Sequence, residues 1–256
     1  MLSASSITSF ALTWALLAVR VAVVFGATPV FEQFPVPTFV RAAFVFAFAA
    51  ALVASLPDGL VMQVPGGATL VVWVVREAIA GGVLAICINI AFAAFSLGAR
   101  LLDVQIGFGI SQVFDPVTRR DIPILTGLFA NFAVLAFFAT GAYVVMIRAF
   151  AYLIVLMPPA ADALPRIDVQ PLLVGAARLF VAGLALVGPV MLCVLIVEMA
   201  LVMTARSLPR MNVFAVGLPL KIVTGFVALA LWLPHMRDAV THAFDSGFDL
   251  LHEVIR

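Results

Sequence analysis

Long runs of apolar residues follow one another along the chain, separated by short polar segments. Three of these runs, residues 78–99, 122–147 and 179–197, contain no charged side chain. The hydrocarbon core of a bilayer is about 30 Å thick, and a helix needs about 20 apolar residues to cross it. Each of the three runs is long enough for one membrane-spanning helix.

Three more apolar runs contain or follow a single charged residue. They are residues 7–31 with Arg20, residues 42–56 after Arg41, and residues 212–233 with Lys221. The pattern therefore predicts an all-α, polytopic membrane protein with about six hydrophobic helices.

The C-terminal residues 234–256 show a different pattern. Polar residues recur at spacings of three and four, with large apolar residues beside them, and this predicts an amphipathic helix. The polar stripe comprises His235, Asp238, His242, Asp245, Asp249 and His252. A divalent metal could bind such a stripe, but a solvated polar face explains it equally well, and we predict no metal site.

The composition supports a membrane protein. Of 256 residues, 65% are apolar and 11% are charged, and the mean hydropathy is +1.23, outside the usual range of soluble domains. A net charge of +1 gives no indication of nucleic-acid binding. Cys87 and Cys193 lie in separate apolar runs and indicate neither a disulfide nor a metal.

Catalytic motifs are not found. Gly107-Phe108-Gly109 resembles the start of a dinucleotide-binding motif, but Gln112 replaces the third glycine and no strand is predicted before it. No serine or cysteine has a histidine within a recognisable nucleophile motif. We therefore expect neither an enzyme nor a cofactor.

The arginines predict which loops share a side of the membrane, because short loops rich in Lys and Arg stay in the cytoplasm. Arginines occur just before residue 42, between residues 100 and 120, and at Arg206 and Arg210. Residues 57–69 contain none, and residues 157–171 balance one arginine with two aspartates. The two sets of loops alternate, which places Arg206 and Arg210 in the cytoplasm and both termini on the other side.

Six charged residues lie inside or next to the apolar runs. They are Arg20, Arg76, Glu77, Arg178, Glu198 and Lys221. An unpaired charge in hydrocarbon costs several kcal/mol, so each needs an explanation. We interpret Arg76 and Glu77 as a helix end and Lys221 as a side chain that extends toward the headgroups. Arg20 and Glu198 lie deeper and are expected to contact protein. All except Arg178 are candidate inter-subunit or intramembrane charges.

The central segment, residues 104–123, combines glycines, phenylalanines and charges. Gly107 and Gly109 allow non-helical backbone, and Asp115-Pro116 requires an extended residue before a turn. At membrane depth such backbone is tolerated only when it is buried in protein or lines a cavity. We therefore predict that the segment folds inward and obstructs an opening. Its apolar side chains include Ile106, Phe108, Ile110 and Phe114.

Several short motifs follow one another over nearly the whole chain. They are Arg20 to Pro29, Val36-Pro37 before Arg41, Arg76-Glu77 before Gly81-Gly82, and Gln105-Ile-Gly leading to Asp115-Pro116. The longest is PRMNVFAVGLP, residues 209–219, which is similar to the PQLNIFVVGFP signature of one family. With these motifs the chain resembles the FliR family of flagellar export-gate proteins and its SctT-like counterparts in virulence injectisomes.

The resemblance implies a subunit of the type III protein export gate in the bacterial inner membrane, which passes unfolded polypeptides. The implied partners are FliP-like and FliQ-like subunits and FlhB-like and FlhA-like proteins. It implies four parts in the chain: a FliP-like part at residues 1–157, a Pro-rich connector at 158–171, a FliQ-like hairpin at 172–233, and the tail at 234–256.

The resemblance also implies roles for two groups of residues. The pore plug would include Ile106, Gly107, Phe108, Gly109, Ile110, Phe114, Asp115 and Pro116. The cytoplasmic hairpin turn would include Arg206, Pro209, Arg210, Asn212, Gly217 and Pro219. One departure lies nearby: where many members have an acidic residue before Gln-x-Gly, this chain has Arg100, with Asp103 three residues later. We expect the ion-pair partners there to be rearranged.

Two other classes remain as alternatives to an export-gate subunit. A small-solute transporter should show an internal repeat and a charged site at the membrane midplane. A membrane enzyme should show a convergent catalytic constellation. The sequence shows neither signature, and it leaves open whether the export system is flagellar or an injectisome, although the general match favours flagellar.

Overall fold

The computed structural model describes residues 4–31, 33, 36–54, 67–108, 123–159, 168–207 and 213–255. These residues form α-helices and one short 3-10 helix, with no β-strand among them, which confirms the all-α prediction. The helices are α1 (Ala4–Ala27), α2 (Thr38–Ala54), α3 (Gly67–Ile106), α4 (Ile124–Ala139), α5 (Ala142–Leu156), α6 (Gln170–Ser207), α7 (Val213–Trp232) and α8 (Arg237–Val254), with the 3-10 helix at Leu233–His235.

Each of the predicted apolar runs is mainly helical where the structure describes it, and the chain is a polytopic membrane protein. Among the described residues, four helical stretches are long and apolar enough to cross a membrane. They are Ile7–Ala27, Thr69–Ile106, Gln170–Ser207 and Ala215–His235. The pair α4 and α5 makes a fifth if it counts as one broken span, and α2, with 17 residues, is shorter.

α3 is much longer than the apolar run that predicted it. Its 40 residues extend over about 60 Å at 1.5 Å per residue, about twice the hydrocarbon thickness. The apolar run stops at Glu77 and Arg100, but Glu and Arg are good helix formers and the helix continues through both. Arg76 and Glu77 therefore lie inside a helix, and their interpretation as a helix end is wrong.

The helix predicted over residues 122–147 is broken near its middle. α4 ends where Thr140 donates its N–H to Ala136 O at 2.9 Å, and Gly141 has a φ of +78° before α5 begins. A Cβ atom would strain this left-handed conformation, so glycine permits the break. The surrounding residues are apolar and give no sign of it, since hydropathy does not report backbone torsion.

The chain folds as two compact units. One comprises Met1–Ile90, Gly141–Val174 and Gly247–Arg256, and the other comprises Ala91–Thr140 and Gly175–Ser246. Neither unit is contiguous in sequence. The division into FliP-like and FliQ-like parts stays a prediction.

In the first unit, α1 and α3 run parallel and close together. A Cβ on Gly81 would lie 2.6 Å from Arg20 O. Further along, Asn89 donates from Nδ2 to Ala27 O at 2.7 Å. From the first contact to the second, the residue numbers increase along both helices, which is why the two helices are parallel. A cluster of aromatic rings covers one side of this unit: Phe25, Phe31, Phe44, Phe48 and Phe150.

In the second unit, α6 and α7 form an antiparallel hairpin. Val194 lies against Gly225, and Leu201 lies against Gly217. Near the open end of the hairpin, Trp232 donates from Nε1 to Leu186 O at 2.9 Å. The residue numbers of the contacts therefore increase along α7 while those of their partners decrease along α6, as expected for antiparallel helices.

The second half of α3 packs on α6 through two glycines. A Cβ on Gly98 would lie 2.7 Å from Gly183 O, and a Cβ on Gly183 would lie 2.9 Å from Ala94 O. The absence of side chains at both positions lets the two backbones touch, as is common where membrane helices cross.

α8 is amphipathic, and its apolar stripe is buried. Val240, Phe244, Phe248 and Leu251 are buried, whereas the aspartates and histidines of the polar stripe are exposed. The ring of Phe244 packs against the rings of Phe92, Phe95 and Phe137. The C-terminal helix is therefore part of the packed structure.

Adjacent glycines on α3 provide a matched test of the α1–α3 contact. We expect Gly81→Ala to lower the melting temperature of the protein in isolated membranes, because the new Cβ would meet the backbone of α1 at Arg20. Gly82→Ala is the control, since a Cβ there meets nothing within 4 Å, and alanine favours helix by about 1 kcal/mol. Equal melting temperatures for the two variants would contradict the close approach.

Candidate functional site

A buried carboxylate lies at the base of the central segment, by which we mean the end of α3 and the beginning of α4. Asp103, in the last turn of α3, accepts hydrogen bonds from Leu125 N at 3.0 Å, Thr126 N at 2.9 Å and Thr126 Oγ1 at 2.8 Å. Its side chain is 1% exposed. The first N–H groups of a helix have no partners within that helix, and Pro123 at the N-cap supplies no side-chain acceptor. Asp103 therefore caps α4 from a different helix.

α3 ends at a left-handed glycine. Gly107 has a φ of +100° and donates its N–H to Asp103 O at 3.2 Å. This is the position after a helix at which glycine is favoured, because other residues are strained there. The chain leaves helical geometry here, so Ile106 is the last helical residue of the predicted plug.

The end of α3 is anchored on the hairpin of α6 and α7. Ile106 is 1% exposed and fills the space where Gly225 has no side chain. Beside it, Gln105 donates from Nε2 to Met191 O at 2.9 Å. Two residues past the helix end, the ring of Phe108 meets that of Phe226 edge to face, with centroids 6.1 Å apart. The entry to the central segment is thus fixed by packing and by a hydrogen bond.

A cleft of about 360 Å³ lies between the end of α3 and the hairpin. Its wall includes Gln105, Gly107, Glu198 and Lys221. Lys221 Nζ lies 2.6 Å from Glu198 Oε1, with the two side chains 20% and 42% exposed. Lys221 therefore has a carboxylate partner within the chain, and its extension toward the headgroups stays a prediction. A carboxylate with this exposure must face water or protein, since hydrocarbon would leave it poorly solvated.

A second ion pair lies in the core of the first unit. Arg20 Nε donates to Glu77 Oε2 at 2.7 Å, and Arg20 Nη2 donates to Met157 O at 2.8 Å. The side chains are 1% and 3% exposed. One guanidinium thus connects α1, α3 and the residue that follows α5. As the sequence predicted, Arg20 contacts protein.

The structure describes only part of each predicted site. Ile106, Gly107 and Phe108 form the base described above, and Gly109, Ile110, Phe114, Asp115 and Pro116 lie outside the described residues. For the hairpin turn, Arg206 lies in the last turn of α6, and Pro209, Arg210 and Asn212 lie outside the described residues.

Gly217 and Pro219 were placed in the hairpin turn by sequence, but both lie inside α7, which begins at Val213. Pro219 is the seventh residue of α7 and therefore lies in the helix interior, where proline removes one intrahelical hydrogen bond. Gly217 is buried, and a Cβ on it would lie 3.3 Å from Leu201 Cδ1. The turn is therefore shorter than the sequence motif.

Sequence reasoning missed the cap made by Asp103 and Thr126. Asp103 was noted only as a departure from the family pattern, because it lies outside the apolar runs in which charges were questioned. A signal was present: an aspartate beside Leu102 and near Ile106, on a stripe that a helix would bury. Its partner across the central segment could not be read from spacing.

The family model for bacterial export proteins, family 1, matches residues 11–247. The chain belongs to this family. The match covers most of the described helices, including both ion pairs and both ends of the central segment. Membership is consistent with the resemblance to FliR that the sequence motifs indicated.

Individual relatives agree with this assignment. Flagellar biosynthetic protein FliR of Escherichia coli (strain K12) is 24% identical over 243 residues, 94% of this chain and 91% of that protein. FliR of Bacillus subtilis (strain 168) is 24% identical over 244 residues, 94% and 93% of the two chains. Surface presentation of antigens protein SpaR of Shigella flexneri is 27% identical over 146 residues, 57% and 56% of the two chains.

The Arg20–Glu77 pair can be tested with a double-mutant cycle. Removing one partner of a buried pair leaves an uncompensated charge and costs about 3–5 kcal/mol, so Arg20→Leu and Glu77→Leu should each sharply reduce the amount of folded protein. The double variant should recover part of the loss, because it leaves no buried charge. Arg237→Gln, at an exposed position of α8, is the control. Purely additive losses, measured by thermal unfolding in isolated membranes, would contradict the pairing.

Proposed function

We propose that this chain is a channel-forming subunit of the flagellar type III protein export gate in the bacterial inner membrane, through which unfolded polypeptides cross. The observation that carries the proposal is the base of the central segment. Within an apolar membrane protein, Asp103 bonds both the residue at which α3 ends, Gly107, and the first turn of α4. Two attachment points held together in this way suit a plug fixed to the wall of a pore.

The exposed surface of the hairpin supports a role as one subunit among several. Only 28% of the most apolar window of Gln170–Ser207 and 17% of that of Ala215–His235 are buried within this chain. Lipid can cover apolar side chains, but it cannot solvate the half-exposed Glu198. A neighbouring FliP-like or FliQ-like subunit, or a water-filled path, would do so. FlhB-like and FlhA-like proteins are the further proposed partners.

The central segment is the proposed plug. Phe108, Ile110 and Phe114 would supply apolar bulk, with Ile106 fixing the segment to the hairpin. Water is unfavourable between apolar walls, so a hydrophobic constriction can close a pore without a charged lock. The pore would open when a polypeptide displaces the segment.

A flagellar system is favoured over an injectisome by the extent of the matches. The matches to FliR of Escherichia coli (strain K12) and FliR of Bacillus subtilis (strain 168) cover 91% and 93% of those proteins. The SpaR relatives are named for surface presentation of antigens, and the match to that of Shigella flexneri covers 56% of its length. An injectisome subunit is the second candidate for this reason.

Co-expression tests the proposed assembly. Expressed alone, the chain should be degraded or aggregate, because the hairpin exposes apolar surface and Glu198. Co-expression with FliP-like and FliQ-like subunits should yield one large complex that is stable in detergent, as measured by size-exclusion chromatography with mass determination. A well-behaved monomer that catalyses small-solute uptake in liposomes would contradict the assignment.

Plug alterations test the proposed channel. Deleting residues 107–114, or changing Phe108, Ile110 and Phe114 together to serine, should make the assembled complex leaky to ions, because the apolar constriction is lost. Conductance of liposomes containing the complex is the measurement. The control changes three exposed apolar residues of α2, Phe39, Val40 and Phe46, to serine. If the altered complex assembles and stays as tight as the unaltered one, the segment is not the plug.

A further inference from the structure

We infer that Asp103 is a positioning residue that holds the end of α3 and the beginning of α4 at a fixed separation. The inference deepens the proposed function and rests on it, since the two places it fixes are the attachment points of the proposed plug. It assigns a role to a residue that lies outside the plug and does not itself enter the pore.

The same residue contacts both flanks. Its backbone oxygen accepts the N–H of Gly107, where the chain leaves α3, at 3.2 Å. Its carboxylate accepts the N–H groups of Leu125 and Thr126, where the chain enters α4, at 3.0 and 2.9 Å. Asp103 therefore contacts both the residue at which α3 ends and the first turn of α4.

The side-chain contacts are of a strong kind. A carboxylate that accepts N–H and O–H donors forms charge-assisted hydrogen bonds, which are stronger than bonds between neutral groups. At 1% exposure, water cannot replace them. All three donors lie in the first turn of α4, where the helix dipole favours a negative charge. Loss of the carboxylate would leave two amide N–H groups buried without acceptors.

Asparagine is the informative substitution because it nearly matches the shape of aspartate but has one oxygen acceptor and an NH₂ donor. The NH₂ group would face an amide N–H or the hydroxyl of Thr126 and could not accept from the backbone. Asp103→Asn therefore releases at least one bond between α3 and α4 without a change in volume.

The first measurement is hydrogen exchange at α4 in the assembled export complex. In Asp103→Asn the amides of Leu125 and Thr126 should exchange about tenfold faster, because they lose a charge-assisted acceptor and have no partner within the helix. Thr126→Val, which removes only the hydroxyl bond, should give a smaller increase. Thr126→Ser keeps the hydroxyl and is the conservative rescue. Asn89→Ala is the control, because it removes bonds to Ala27 O and Ala85 O in the other unit.

The second measurement is ion conductance of the same complexes in liposomes. Asp103→Asn should raise the leak at unchanged assembly, because the two attachment points of the plug are held less firmly, and Asn89→Ala should not. Assembly alone would report a purely structural role, so the leak at equal assembly is the deciding readout.

The outcomes separate the two proposals. Unchanged exchange at Leu125 and Thr126 in Asp103→Asn overturns the positioning role. Faster exchange with a tight complex supports positioning and contradicts the plug proposal. If Asp103→Asn does not assemble, Thr126→Val decides: faster exchange at α4 together with a leak supports the inference, and wild-type values of both overturn it.

Discussion

A buried charge in an apolar chain needs a partner within the protein, and Arg20 and Glu77 supply one to each other with both side chains almost fully buried. The guanidinium bonds a carboxylate on α3 and a backbone oxygen beyond α5, so the charges fix three elements relative to one another. Apolar packing alone would permit these helices to slide, because one aliphatic contact resembles another. The Arg20–Glu77 ion pair, in contrast, forms in only one relative position of these helices.

Glycines make these polar contacts geometrically possible. The guanidinium of Arg20 can reach Glu77 because α1 and α3 approach closely at Gly81. In the second unit, Gly225 receives Ile106, and this brings the end of α3 to the hairpin that carries Glu198 and Lys221. Close backbone approach and specific polar contacts thus occur together in both units.

The sequence predicts the helical class well, because apolar runs of spanning length have few other interpretations. It also identifies Arg20 as a residue with a protein partner, since its depth excludes the headgroups. The extent of α3 and the break at Gly141 are not predictable from hydropathy, which reports neither hydrogen bonding through charged residues nor torsion angles. The cap on α4 was missed because Asp103 and Thr126 are 23 residues apart in sequence, and no local pattern connects residues at that separation.

The break at Gly141 bears on how the protein enters the membrane. α4 and α5 have 16 and 15 residues, so each extends about 22–24 Å and neither alone crosses a hydrocarbon core of about 30 Å. Insertion depends on apolarity, and the joined sequence is apolar throughout, so it can enter lipid as one uninterrupted helix. Lipid offers no partner to the backbone groups that a break exposes, whereas surrounding protein does. The kink is therefore expected to form after insertion, when the packed neighbours are already in place.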